Sequence, residues 1–201
     1  GIGGGSQAPG VVITINGGTV AATGAGAGIG GGWKGNGGVI TINGGKITAT
    51  VSGGSYAAGI GSGGNAAGGT VIIRGGVVTT RGGYGVTTCG IGAGNGSSAA
   101  GTTLISGGTV RATAGTSGST DIGTSSATAT SGSVTFTGGS VYCWAGRTRP
   151  AASNDTVAVY CVTVSNQAWT VNSPVTLSGL PAGFGTNDIV ADGAGKIYPW
   201  L

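Results

Sequence analysis

Histidine, methionine and glutamate are absent from this 201-residue chain, aspartate occurs four times, and all charged residues together make up 6%. Each absence removes a class of chemistry. Glycoside hydrolysis requires paired carboxylates, and calcium sites require several acidic or carbonyl oxygens. Residues 1–144 contain one acid, Asp121. A hydrolase or lyase built on that stretch would lack its acid and its base, so the chain is expected not to be an enzyme and to hold no metal or cofactor. Three cysteines, Cys89, Cys143 and Cys161, are too few to staple a domain. No apolar run approaches the roughly 18 residues of a membrane-spanning helix, so no membrane insertion is expected. The formal charge of +4 comes from eight Lys and Arg set against few acids. No basic run accompanies it, which argues against nucleic acid and for an anionic surface or glycan.

The abundant residue is glycine, 50 in all. The chain is nonetheless unlike a disordered one, because Val, Ile and Thr recur at fixed places between the glycines. The unit that organises it is Gly38-Val39-Ile40-Thr41-Ile42-Asn43-Gly44-Gly45-Lys46-Ile47-Thr48-Ala49-Thr50, followed by Ala58-Gly59-Ile60-Gly61. Three ladders repeat with it: Ile15, Ile42, Ile73, Ile105 and Phe136; Val20, Ile47, Val78, Val110 and Val141; Ile2, Ile29, Ile60, Ile91 and Ile122. In each the first step is 27 residues and the later ones are 31 or 32. Self-similarity at a fixed period marks a stacked architecture.

Alternation around each ladder predicts strands with one buried face. The Gly-Gly pairs at 17–18, 44–45, 75–76, 107–108 and 138–139 predict sharp corners. A fourth inward slot holds small residues, Ala22, Ala49, Thr80, Ala112 and Cys143, so the opposing walls should approach closely. The fold expected is all-β: a parallel β-helix (β-solenoid) of about five coils of roughly 31 residues over residues 1–144. Residues 145–201 hold six glycines and no repeat, and the alternation at 157–164, 170–177 and 189–200 predicts a C-terminal non-repeating β cap. At the other end the chain opens on Gly-Ile-Gly-Gly-Gly, with neither an initiator Met nor a leader. The expectation is a piece of a longer secreted or cell-surface polypeptide, with either further coils before Gly1 or residues 1–10 folded across the opening.

The units Gly-Val-Ile-Thr-Ile-Asn-Gly-Gly-Lys-Ile-Thr-Ala-Thr and Ala-Ala-Gly-Ile-Gly resemble the glycine-rich β-helix repeats of large bacterial surface proteins and adhesins, some of them carbohydrate-binding. The resemblance covers residues 1–144. It implies a right-handed helix and a role in adhesion or polysaccharide binding, with no catalytic residues to carry over.

Several local patterns have a plain reading. Gly24-Ala25-Gly26-Ala27-Gly28-Ile29-Gly30 looks like a dinucleotide loop but recurs in every coil and precedes no helix pattern. Asp188 and Asp192 read as turn residues. Asn95-Gly96-Ser97 and Asn154-Asp155-Thr156 are glycosylation acceptors only in a suitable host. Cys89 falls on the inward parity as a small core residue. Cys143, inward in the last coil, and Cys161, early in the cap, form a disulfide pair if the protein is secreted.

Recognition is expected on the outward face of the second run. There Arg111 stands one rung from Tyr142, Arg81 shares a column with Thr113 and Trp144, Lys46 occupies a third column, and Arg147 and Arg149 follow. Aromatic rings offer flat apolar faces to sugars, and guanidinium offers paired donors to carboxylate or sulfate. The partner expected is a polysaccharide or cell-surface glycan. The loops holding Trp33, Tyr56 and Tyr84 are the second place to look. A structural stalk and an ice-binding surface are the competing functions. Regular Thr rows would favour ice, but the columns Thr19, Lys46, Val77, Thr109, Ser140 and Ala21, Thr48, Thr79, Arg111, Tyr142 interrupt them with charge and bulk.

Each buried ladder residue contributes roughly 1.5–3 kcal/mol, and a carboxylate cannot take such a place without a partner. Ile60→Asp is therefore expected to abolish cooperative thermal unfolding; a melting curve like that of the unaltered chain would refute the register.

Overall fold

The protein is described by a computed structural model covering residues 1–53, 55–84, 88–97, 99–115, 121–123, 131–144, 159–162, 167–169, 190–192 and 195–197, with side chains described only as far as Gly123 and not at Ala100. The first turn has three sides: β1 (Ile2–Gly3), β2 (Val12–Ile15) and β3 (Thr19–Gly24). They recur as β4 (Ile29–Gly30), β5 (Val39–Ile42) and β6 (Lys46–Val51), then as β7 (Ile60–Gly61), β8 (Thr70–Ile73) and β9 (Val77–Arg81). After β10 (Ile91–Gly92) the two longer sides run together as β11 (Ala99–Thr113), and after β12 (Ile122–Gly123) as β13 (Ser131–Trp144). No helix occurs among the described residues.

Every strand of the solenoid pairs in parallel with its counterpart one turn on. The short sides stack in the order β1-β4-β7-β10-β12, and the longer sides run from β2 and β3 through to β11 and β13. The three expected ladders stand in register: Ile2 through Ile122, Ile15 through Phe136 and Val20 through Val141. The stack is a parallel β-solenoid, as its period predicts. Four complete turns separate Ile2 from Ile122 and β13 adds part of another, slightly fewer than the five coils expected.

The core is narrow and aliphatic. Ile29, Ile40, Ile42, Ile47, Ile60, Ile73, Ile91 and Ile105 are fully buried together with Val71 and Val78. Ala49 and Ala112 are fully buried in the small slot. Thr80 takes that slot in the third turn, and its hydroxyl donates across the core to the Gly90 carbonyl at 2.7 Å, which satisfies the one polar group introduced there. Cys89 is fully buried, the core position its parity predicts.

The motif Gly-Ile-Gly has a separate reason for each glycine. A Cβ at Gly28 would lie 2.7 Å from the Thr50 amide nitrogen, and one at Gly90 would lie 2.6 Å from that of Thr113. The first glycine therefore lets the short side touch the end of the second run. The second glycine has φ between 120° and 140° in all five copies, and a Cβ at Gly30 or Gly61 would fall 2.0 Å from the carbonyl oxygen of the next turn.

Step lengths are set at the corners. The corner between Thr23 and Ile29 is four residues shorter than those between Thr50 and Ile60 and between Arg81 and Ile91, although these residues stand in register. This difference accounts for the first step of 27 residues. The second glycine of each Gly-Gly pair has φ between 84° and 97°, as the sharp corner requires. A further corner places Gln7, Lys34 and Asn65 at φ 59°, 55° and 57°, with Gly96 at 73°.

Residues Ile2–Gly3 continue the short-side ladder, so this part of the N-terminal segment forms a rung instead of crossing the end. At the other end β14 (Val159–Val162) and β15 (Gln167–Trp169) pair antiparallel with β13. Further on, β16 (Val190–Asp192) and β17 (Gly195–Ile197) pair antiparallel. The rest of 145–201, including the run at 170–177, lies outside the described residues.

Gly61→Ala combines a forbidden φ with a backbone clash, for a cost of roughly 3 kcal/mol or more. Gly17 has φ outside the left-handed region and open space at its Cβ position. Chemical denaturation should show Gly61→Ala severely destabilised and Gly17→Ala close to the unaltered chain; equal effects would contradict the stacking.

Candidate functional site

The outward columns of the second run stand as the sequence predicts. Thr19, Lys46, Val77, Thr109 and Ser140 form one, and Ala21, Thr48, Thr79, Arg111 and Tyr142 form the next. Thr23, Thr50, Arg81 and Thr113 form a third. Lys46 and Arg81 are exposed and Arg111 is half-buried. Lys46 opens β6 and Arg81 closes β9, so these two cations sit at opposite ends of the run. Arg111 is adjacent to Tyr142 in backbone register. The side chains of Tyr142 and Trp144, and Arg147 and Arg149 entirely, lie outside the described residues. So do the side chains of Cys143 and Cys161; in the backbone Cys143 pairs with Tyr160, and Cys161 with Tyr142.

The corner loops bring a different group together. Tyr56 and Tyr84 lie on the longer corners of successive turns, joined by a hydrogen bond from the Gly83 amide to the Ala57 carbonyl at 3.0 Å. Trp33 lies on the following corner, just beyond β4, and its ring centroid is 6.1 Å from that of Tyr56 at an interplanar angle of 55°. Gly64 lies against both residues: a Cβ there would come within 2.8 Å of the Trp33 indole and 3.0 Å of the Tyr56 Cβ. Glycine at that place gives the pair its floor. The backbone beneath is fixed: the Trp33 carbonyl accepts the Gln7 amide at 2.6 Å, and the Tyr56 carbonyl accepts the Asn95 amide at 2.8 Å.

Arg81 belongs to this group as well as to its column. Its guanidinium carbon lies 4.8 Å from the centroid of the Tyr84 ring, a cation–π contact that orients the cation. In the same column the hydroxyls of Thr23 and Thr50 are 3.0 Å apart. Trp33, Tyr56 and Tyr84 remain 41%, 45% and 56% exposed. Burying such rings would be favourable by roughly 1.5–3 kcal/mol each, so their exposure on hydrogen-bonded corners is a costly arrangement. Lys34, next to Trp33, is exposed and holds a left-handed conformation that asparagine and glycine take in later turns.

Composition singles out the Trp33, Tyr56 and Tyr84 loops only as a second place to look. Their contacts depend on the path of the long corner, which no strand alternation encodes. The change in step from 27 to 31 is the signal that marks that corner.

Other features offer less chemistry. Asp121, the sole acid of the solenoid, is fully buried and accepts a hydrogen bond from the Ala114 amide. Ser97 of the first glycosylation acceptor is also buried, its hydroxyl bound to the Ala99 carbonyl at 2.7 Å. Among the described residues no three His, Cys, Asp or Glu side chains gather where a metal could bind. A shallow depression at the N-terminal end is lined by residues 1–4, 24–27 and 30–32, glycine apart from Ile2, Ala25 and Ala27.

Residues 13–33 and 40–64 match a family model of the β-helix repeat. These segments run from within β2 to just past β4 and from within β5 to just past β7. No curated protein and no solved structure matches the chain. Over these segments the chain is similar to β-helix repeats, and its described residues fold as a parallel β-solenoid.

Proposed function

We propose that this chain is a non-catalytic recognition solenoid, an adhesin or carbohydrate-binding module that meets a glycan at an extracellular or cell-surface location. The observation that carries the reading is the exposed group of Trp33, Tyr56 and Tyr84 with Arg81 lying over the last ring. An aromatic face covers the apolar C–H face of a pyranose, and aromatic rings held on a preorganised backbone lose little entropy on binding. The non-catalytic part of the proposal rests on composition. A solenoid with one buried acid and no histidine has no side-chain pair for general acid–base work.

A stalk or spacer is the second reading, supported by a core ladder that continues from turn to turn without interruption. Ice binding has less support, because Lys46, Val77 and Arg111 interrupt the threonine columns.

On a glycan array the double substitution Trp33→Ala and Tyr56→Ala should weaken binding by at least about tenfold, in line with roughly 1 kcal/mol per removed aromatic contact. The melting temperature should stay within a few degrees, since both rings lie outside the core. Unchanged binding would exclude this surface, and loss of folding in the same variant would show the rings to be structural.

A further inference from the structure

We infer that the ligand of this surface is an anionic polysaccharide, carboxylated or sulfated, lying along the solenoid axis across the second and third turns. The inference rests on the glycan-recognition reading and adds the charge and direction of the chain that is bound.

Charge of a single sign is the first ground. Residues 1–120 contain no acid, the next residue is the buried Asp121, and the same stretch carries Lys34, Lys46, Arg74, Arg81 and Arg111. Among the described side chains, therefore, no exposed carboxylate competes for Arg81 or repels an incoming anion. At this length scale a one-sign surface also raises the rate of encounter with an oppositely charged chain.

The setting of Arg81 is the second ground. The Tyr84 ring covers one side of its guanidinium, and its backbone is fixed in register between Thr50 and Thr113. A guanidinium held by this contact still has N–H donors to offer a bidentate oxyanion, the geometry that carboxylate and sulfate share. An uncharged sugar hydroxyl would use only part of that fork.

Direction follows from the stacking. Tyr56 and Tyr84 occupy the same corner on adjacent turns, linked through Gly83 and Ala57, and rungs repeat about every 4.8 Å. A linear polysaccharide that rests one ring on Trp33 and Tyr56 and continues along the axis brings its next units to Tyr84 and Arg81. Lys34 flanks the other end of this path. Aromatic stacking and charge recognition are thereby assigned to successive sugars of one chain.

The test is an array on which each oligosaccharide backbone is printed unmodified, C6-carboxylated and sulfated, probed at physiological ionic strength with the full chain, Arg81→Gln, Arg81→Lys and Arg74→Gln. Arg74 follows β8, beyond the Gly75–Gly76 corner from the run that ends in Arg81; it is bound to Asn43 and serves as a charge control. The expected result is at least tenfold tighter binding to the carboxylated or the sulfated member of a set than to its neutral parent. Arg81→Gln should remove that excess, Arg81→Lys should restore it only in part, and Arg74→Gln should change it less than twofold. The preferred member of the set identifies the anion. Equal binding to neutral and charged members would overturn the anionic ligand and leave glycan recognition standing. Equal losses in Arg74→Gln and Arg81→Gln would overturn it too, by showing diffuse attraction. Binding to no glycan of any charge would overturn both.

Discussion

The structure depends on the contact of backbone with backbone at the short side of the solenoid. Each turn has one side only two residues long, and its isoleucine enters the core while the flanking glycines meet other main chain. A Cβ on Gly28 would strike Thr50, and a Cβ on Gly61 would strike the carbonyl of Gly92. No other residue type allows both approaches. The high glycine content thus reflects a geometric demand, repeated once per turn, that opposing walls and successive rungs come within contact of each other. The small slot of Ala22, Ala49 and Ala112 meets the same demand from the opposite wall, and the Thr80 hydroxyl reaches Gly90 because the gap is so narrow.

Stacking turns a period in the sequence into a column in space, which is why the ladders, the Gly-Gly corners and the parallel register could be read before any coordinates. Ile15, Ile42, Ile73 and Ile105 are 27, 31 and 32 residues apart yet sit directly over one another. What lay beyond reach depended on loop path or on left-handed backbone. The meeting of Trp33 with Tyr56 joins two different corners, and nothing in their spacing foretells a 6.1 Å approach. Lys34 takes a positive φ that its residue type disfavours, because the corner is fixed by hydrogen bonds from the neighbouring turns. The columns of Arg81 and Arg111 were legible as columns. That Arg81 is drawn over Tyr84 was not, since that contact also depends on the long corner.

A division of labour follows from this construction. Inward positions and corner glycines are committed to the stack, so variation is confined to outward columns and to the corner loops. The long corner is where the second and third turns gain four residues over the first, and it carries Tyr56 and Tyr84. Rungs beneath hold the loop ends at fixed separation, which supplies preorganisation without a rigid loop sequence. A recognition surface at this corner disturbs neither the core nor the strand pairing.

The central claim is the parallel, in-register stacking of the Gly-Ile-Gly sides, and scalar couplings across hydrogen bonds test it atom by atom. In a protein labelled with nitrogen-15 and carbon-13, couplings should link the Ile29 amide to the Gly59 carbonyl, the Ile60 amide to the Gly90 carbonyl, and the Ile91 amide to the Asp121 carbonyl, bonds of 3.0, 2.9 and 2.9 Å. Couplings from these three amides to partners in antiparallel order, or to carbonyls within their own turn, would contradict it.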